Sequence, residues 1–113
     1  MALGSSGDDG AWVVPVHYDC GPNVELYFLS KKDTKHVANI LSNEQVSVAI
    51  YHPDAMPDDG HVGLQIKGTA KLVSESGWLR FKITPTKAWY FNSKSSPNKE
   101  KIDLAKIKGL DNV

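Results

Sequence analysis

The chain has 113 residues, of which 13 are basic and 13 acidic, so its formal net charge is zero. A neutral chain offers no bulk attraction to nucleic acid or to an anionic membrane, and no apolar run approaches the ~20 residues of a membrane span. The length favours a single domain covering residues 1–113. No signal peptide is visible, and Cys20 is the only cysteine, which excludes an internal disulfide and favours the cytoplasm.

The N-terminal segment reads as a hairpin followed by an edge strand. Residues 4–10, GSSGDDG, form turns readily, so Ala2 and Leu3 are interpreted as the stub of a strand. Alternation from Ala11 to Tyr18 predicts the next strand, with Val14 and the other even-numbered residues on one face. Pro15 cannot donate to a ladder, so this strand is expected at a sheet edge or a bulge.

A strand, a short helix and a second strand follow in one continuous unit. Glu25 to Ser30 alternate and predict a strand, and a polar break follows them. Asp33 or Thr34 is expected to cap a helix ending near Ser42. The apolar stripe of that helix is predicted to contain Val37, Ile40 and Leu41, and the next strand to run from Val46 to Ile50.

The predicted helix start is a candidate anion seat. Free backbone N–H groups and the helix dipole point the same way as the surrounding lysines. The polar side chains there are Ser30, Lys31, Lys32, Thr34 and Lys35. The alternative is that these residues form an ordinary solvated loop before a surface helix.

The second half of the chain predicts further strands. Residues 51–61 form a loop whose His52 and His61 have no recognised metal-ligand spacing, so no metal site is predicted. Val62 to Val73 alternate, and Gly68 predicts a bulge or a close approach of another group. After a turn at 74–77, two strand pieces are expected on either side of Thr84 and Pro85. The aromatic residues of this part belong either to the core or to a dimer interface: Trp78, Phe81, Trp89 and Phe91.

Three consecutive stretches of the chain together carry a resemblance to a known family: WVVPVHYD, LYFLSKKDTKHVANILSNEQVSVAI and GLQIKGTAKLV. In their order and spacing they resemble the split-barrel family that binds flavin mononucleotide (FMN), the pyridoxamine 5′-phosphate oxidase-like proteins. The resemblance implies a mainly β fold, an antiparallel split β-barrel with one or two short helices. Such chains normally begin with a helix and a full first strand and carry a helix near 74–77. Both features are short or missing in this sequence.

The resemblance also implies a cofactor site. Ser30, Thr34 and Lys35 fall on the family's hydroxyl and basic positions, and His36 stands where a second Lys or Arg is frequent. The strand containing Pro15 is expected along the flavin ring, and Trp89 is expected to cover the partner's site in a homodimer. His17 and Gln65 are either ring contacts or plain sheet and surface residues. The implied FMN-binding set is Val14, Pro15, Val16, His17, Ser30, Thr34, Lys35, His36, Gln65 and Trp89.

Three functions therefore stand side by side. The first is an FMN-dependent oxidoreductase, homodimeric and acting on a small organic substrate, in which the cofactor carries the chemistry. The second is a non-catalytic flavin-binding module with a stress or sensor role. The third is a nucleic-acid-binding β-barrel that stacks bases on Tyr18, Tyr27 and Tyr51, which the zero net charge disfavours. The sequence selects no particular substrate.

Overall fold

Alternating apolar residues build an antiparallel sheet in the computed structural model, which describes residues 1–51, 62–92 and 98–106. The α-helix Lys35–Ser42 and the 3₁₀ turn Pro22–Val24 accompany the strands, and residues 104–106 are also helical. The elements are β1 Ala2–Gly7, β2 Gly10–Pro15, β3 Asp19–Cys20, β4 Leu26–Ser30, α1 Lys35–Ser42, β5 Gln45–Tyr51, β6 Val62–Ser76, β7 Trp78–Asn92 and β8 Glu100–Lys101. Of the predicted loop 51–61, Tyr51 instead ends strand β5, and the rest, with His52 and His61, lies outside the described residues.

The strand order is β2-β1-β5-β6-β7-β4-β3, with β8 paired to β7, and every pairing is antiparallel. Helix α1 packs against β1 and β2. This arrangement confirms the predicted mainly β split barrel with short helices. No helix within the described ranges is long and apolar enough to cross a membrane.

The core lies on the inner face of the sheet, beneath α1. Phe28 and Phe81 are paired across β4 and β7, and their rings stack with centroids 5.2 Å apart. Each fully buried side chain of this size contributes roughly 1.5–3 kcal/mol through hydrophobic burial. The largest fully buried residues are Phe81, Leu3, Ile83 and Val37.

Helix α1 begins one residue after its N-cap, Thr34, as expected. Val37 and Ile40 are buried, but Leu41 is 61% exposed, so its assignment to the apolar stripe is wrong. At 100° per residue Leu41 lies beyond the edge of the arc that faces the sheet. His36 and Asn39 occupy that arc instead and are buried.

The expectation of a first-strand stub is wrong, because β1 continues through Gly7 and pairs with both β2 and β5. Its inward residues are Leu3, which is fully buried, and Ser5. The amide of Asn39 on α1 donates to the Ser5 hydroxyl over 3.1 Å, so this polar residue is satisfied inside the fold. A polar sequence therefore forms a central strand here, and the turn is confined to Asp8 and Asp9.

Strand β2 lies at one edge of the sheet, as Pro15 predicts, but it ends at Pro15 instead of Tyr18. Beyond Pro15 the backbone is linked once more to Met1: the Val16 N–H donates to the Met1 carbonyl over 2.9 Å, and the Met1 ammonium donates to the Val16 carbonyl over 2.9 Å. The side chains of Val14, Val16 and Tyr18 pack against the core on the predicted common face.

Strand β7 is one strand of 15 residues, so the expectation of two pieces is wrong. It pairs with β6 through a tight turn at Gly77, whose φ is +87°, and no helix occupies 74–77. The break expected near Pro85 is a β-bulge: Lys67 faces Lys87 and Gly68 faces Pro85, which leaves Thr86 as the extra residue. A Cβ on Gly68 would lie 2.8 Å from the Thr84 carbonyl oxygen, which confirms the predicted close approach.

We expect Leu3→Ala to destabilise the protein by about 2–5 kcal/mol, because Leu3 is fully buried and its loss leaves a cavity in the core. Urea unfolding followed by circular dichroism measures the change. Leu29→Ala is the matched control, since Leu29 is 57% exposed. Equal stabilities of the two variants would contradict an integral β1.

Candidate functional site

A broad groove of about 880 Å³ runs across the outer face of the sheet, the face turned away from the core. Strand pairing places the side chains of this face in two rows that cross β2, β1, β5, β6 and β7 in that order. The first row is Pro15, Ala2, Ala49, Gln65 and Trp89. The second row is Val13, Gly4, Ser47, Lys67 and Lys87.

The floor of the groove is low because the central strands carry small residues there. Ala2, Gly4, Ser47 and Ala49 all line it. A Cβ at Gly4 would collide with the Ser47 hydroxyl, which would have to rotate away to make room for it. Larger residues stand at the two ends, with Val13 on β2 and Trp89 on β7. The shape suits a flat ligand.

The charge of the groove is positive. Lys67, Lys87 and Lys99 line it, and no carboxylate occurs among the described residues that do so. Its other polar side chains include Gln45, Gln65 and Thr86, which donate or accept hydrogen bonds without charge. An anionic ligand is therefore favoured over a cationic one.

The start of α1 forms a second basic place, at the β2 edge of the sheet. The Lys35 ammonium lies 4.6 Å from the ring centroid of Trp12 on β2 and 3.6 Å from a carboxylate oxygen of Asp9. The Thr34 hydroxyl donates to the Lys31 carbonyl over 3.0 Å and closes the turn before the helix. Lys35 therefore reaches from the helix to the tip of the β1–β2 hairpin.

Beneath Lys35, Ser30 and His36 form a buried pair. The Ser30 Oγ and the His36 Nε2 lie 2.6 Å apart, which joins the end of β4 to the first turn of α1. Burial lowers the pKa of the His36 imidazole below its ordinary value, so the neutral form is favoured. The side chain at this position is therefore a structural link and supplies no cation at neutral pH.

The residues implied by the resemblance fall into three places. Pro15, Gln65 and Trp89 share one row of the outer face, where Gln65 and Trp89 are direct cross-strand partners. Thr34 and Lys35 are grouped at the helix start, over the buried pair of Ser30 and His36. The remaining three lie apart from the groove: Val14 and Val16, which pack on the core, and His17, which is exposed.

Several groove residues were missed from the sequence. Strand alternation was sufficient to find three of them, because each lies two residues from a residue of the first row on the same strand. They are Val13 beside Pro15, Ser47 beside Ala49 and Lys67 beside Gln65. Lys87 was not accessible in this way. The bulge at Thr86 reverses the alternation along β7 and brings Lys87 to the outer face.

Comparison with known proteins identifies the family to which the chain belongs. A family model described as Pyridoxamine 5′-phosphate oxidase matches residues 1–109. No curated protein is significantly similar to the chain in sequence.

Solved structures share the fold at low sequence identity. A putative pyridoxamine 5′-phosphate oxidase from Listeria innocua is 20% identical with a TM-score of 0.68, over 80% of this chain and 86% of that one. An FAD-binding protein from Mesorhizobium loti is 16% identical with a TM-score of 0.66, over 77% and 78% of the two chains. A heme-binding protein from Mycobacterium smegmatis is 12% identical with a TM-score of 0.80, and the match covers 96% of this chain but 54% of that one. At these identities the likeness establishes the fold alone.

We expect the free energy of unfolding to decrease as the pH falls below the ordinary histidine pKa, because folded His36 takes up a proton less readily than unfolded His36. His36→Gln should remove this component, so the variant loses less stability than the parent between about pH 7 and pH 5. Urea unfolding at several pH values measures it. His17→Gln, at an exposed position, is the control and should follow the parent. Parallel curves for the parent and His36→Gln would contradict a buried neutral His36.

Proposed function

The chain belongs to the pyridoxamine 5′-phosphate oxidase family, and we propose that it is a homodimeric protein that binds FMN and uses it for oxidoreduction of a small organic substrate. The observation that carries the proposal is the position of Lys35. It contacts Trp12 on β2, and the next residue of that strand, Val13, forms one end of the groove. A phosphate seat and a groove suited to a flat ring therefore meet at the same edge strand.

The phosphate is proposed to bind at the start of α1. FMN carries about 1.5 to 2 negative charges there, and the seat offers free N–H groups of the first helical turn, the helix dipole and the Lys35 ammonium. Thr34 contributes a hydroxyl whose lone pairs and proton can reorient from the Lys31 carbonyl. Ser30 and His36 act beneath the seat, where their hydrogen bond holds strand and helix together.

Asp9 has to release Lys35 before a phosphate can bind it. The Asp9 side chain is 81% exposed, and exposed ion pairs contribute only about 0–1 kcal/mol. A charge-assisted hydrogen bond to phosphate contributes about 1.5–3 kcal/mol. The exchange of Asp9 for phosphate is therefore favourable.

The flavin ring is proposed to lie in the groove. A volume of about 880 Å³ is within the usual range of ligand sites, roughly 300–1,000 Å³. The small residues of β1 and β5 give the ring a flat floor, the Gln65 amide can hydrogen-bond its polar edge, and Trp89 offers an aromatic wall. The groove is open to solvent, so a second subunit is proposed to close it, as Val13 and Trp12 expose apolar surface at its β2 end.

The lining of the groove favours a flavin over a haem. Haem iron is held by His, Cys, Met or Tyr side chains. None of these residue types occurs among the described residues that line the groove, and His17 lies outside it. The bound flavin would supply hydride or electron transfer, while the chain's own residues bind and orient it. Turnover with a reductant separates this function from simple flavin storage or sensing.

The phosphate seat is tested with Lys35→Ala and two ligands, FMN and riboflavin, which has no phosphate. Loss of one charge-assisted contact should weaken FMN by about ten- to a hundredfold and leave riboflavin unchanged. Fluorescence quenching of the flavin measures both affinities. Lys71→Ala makes the same change of charge in the separate hollow that Lys71 shares with Glu44, and should leave both ligands unaffected. Unchanged FMN binding to Lys35→Ala would place the phosphate elsewhere.

The interface is tested with Val13→Glu, which puts a charge on a side chain that is 65% exposed in the single chain. If the partner subunit covers the β2 end of the groove, where Val13 lies, dimerisation would bury the new carboxylate at a high cost. The variant should then sediment as a monomer and bind flavin more weakly. Leu29→Glu, at another exposed apolar position, is the control. A parent protein that sediments as a stable monomer with full flavin affinity would contradict the proposed assembly.

A further inference from the structure

Two lysines stand directly opposite each other at the β6–β7 end of the groove. Lys67 on β6 is the cross-strand partner of Lys87 on β7, and both side chains line the groove. Like charges in this position repel each other and destabilise the pair of strands. Neither lysine forms an ion pair with any residue in the described part of the chain. The ion pair found there joins Lys35 and Asp9, at the β2 edge of the sheet.

The backbone holds this pair in place. Thr86 is the bulged residue between Lys87 and Pro85, and its hydroxyl donates to the Lys67 carbonyl over 3.1 Å. Without the bulge, Lys87 would continue the alternation of Ile83 and Pro85 and face the core. Bulges of this kind re-aim side chains beside binding sites. The fold therefore turns a second ammonium group towards the groove at the position where it meets Lys67.

Opposed lysines alone do not mark a site, because Lys71 and Lys82 are also partners on β6 and β7. That pair lies outside the groove, and Lys71 shares a smaller hollow with the carboxylate of Glu44. The pair at 67 and 87 differs in its surroundings. It shares the groove with Lys99 and with no described carboxylate, and its neighbours in the adjacent row are Gln65 and Trp89.

We propose that Lys67 and Lys87 bind the carboxylate of a small planar ligand held at the β6–β7 end of the groove, above the floor that the flavin ring is proposed to occupy. Two ammonium groups on neighbouring strands can each donate to one carboxylate oxygen, and the bound anion removes their mutual repulsion. A carboxylate has two oxygens, one for each ammonium group, whereas the described residues that line this end of the groove include no helix start whose N–H groups would bind the further oxygens of a phosphate. The proposal rests on the proposed function in one respect: the ligand is taken to be the substrate that shares the groove with the flavin.

The probes are benzoate and benzamide, which have nearly the same shape and differ in charge. Titration into the flavin-free ¹⁵N-labelled protein is followed through the amide signals of residues 65–67 and 87–89 and the Trp89 indole N–H. Benzoate should bind at least about tenfold more tightly than benzamide, as one charge-assisted contact requires. In the double variant Lys67→Gln, Lys87→Gln the two affinities should agree within about twofold.

The matched control is Lys71→Gln, Lys82→Gln, which removes the other opposed pair from the same two strands and should keep the preference for benzoate. Equal binding of both probes to the parent, or equal loss in both double variants, would overturn the inference. Dissociation of the dimer by Lys67→Gln, Lys87→Gln with unchanged benzoate binding would also overturn it, since a partner carboxylate would then be the anion. Riboflavin titration of the same samples reports the flavin site separately, so either proposal can fail alone.

Discussion

The β-bulge at Thr86 is the constraint on which the outer face of this molecule depends. Strands β6 and β7 each run for 15 residues, and the inward positions of β7 are Leu79, Phe81, Ile83 and Pro85 before the bulge and Ala88 after it. One extra residue exchanges the two faces of the strand. The bulge falls beside Pro85, which has no N–H to give to a ladder, and opposite Gly68, where the backbones approach closely. The irregularity therefore coincides with a residue that has no N–H to give to the ladder.

The same sheet serves two purposes because its faces carry side chains of different size. The inner face carries large apolar residues such as Leu3 and Phe81, whose burial stabilises the fold. The outer face carries Ala2, Gly4, Ser47 and Ala49 over the same strands, so the sheet is thin there and a groove forms. The core and the groove therefore lie on opposite sides of one layer.

Helix α1 is attached to the sheet by polar links as well as by apolar packing. His36 contacts Ser30 and Asn39 donates to Ser5, and all four residues are buried. Such links fix the position of the helix start more narrowly than apolar contacts do, because hydrogen bonds tolerate little displacement. Lys35 extends from this fixed turn to the β2 edge, while Lys67 on β6 and Lys87 on β7 stand three and four strand spacings away, about 14 and 19 Å. The two basic places lie far enough apart to bind two different anionic groups.

The sequence by itself determined the mainly β class, through the alternation along its strands. It also determined the edge position of Pro15, the helix start at Thr34 and the close approach at Gly68, because each of these depends on the local chemistry of one or a few residues. Tertiary structure decided the rest. Whether GSSG at 4–7 formed a loop or a central strand depended on a partner 34 residues away, the amide of Asn39 that satisfies Ser5. The burial of His36 against Ser30, which lowers the pKa of its imidazole, came from the packing of α1 on the sheet. The facing of Lys87 and Trp89 depended on the register of β7 against β6, since a shift of one residue reverses a strand and no local pattern records it.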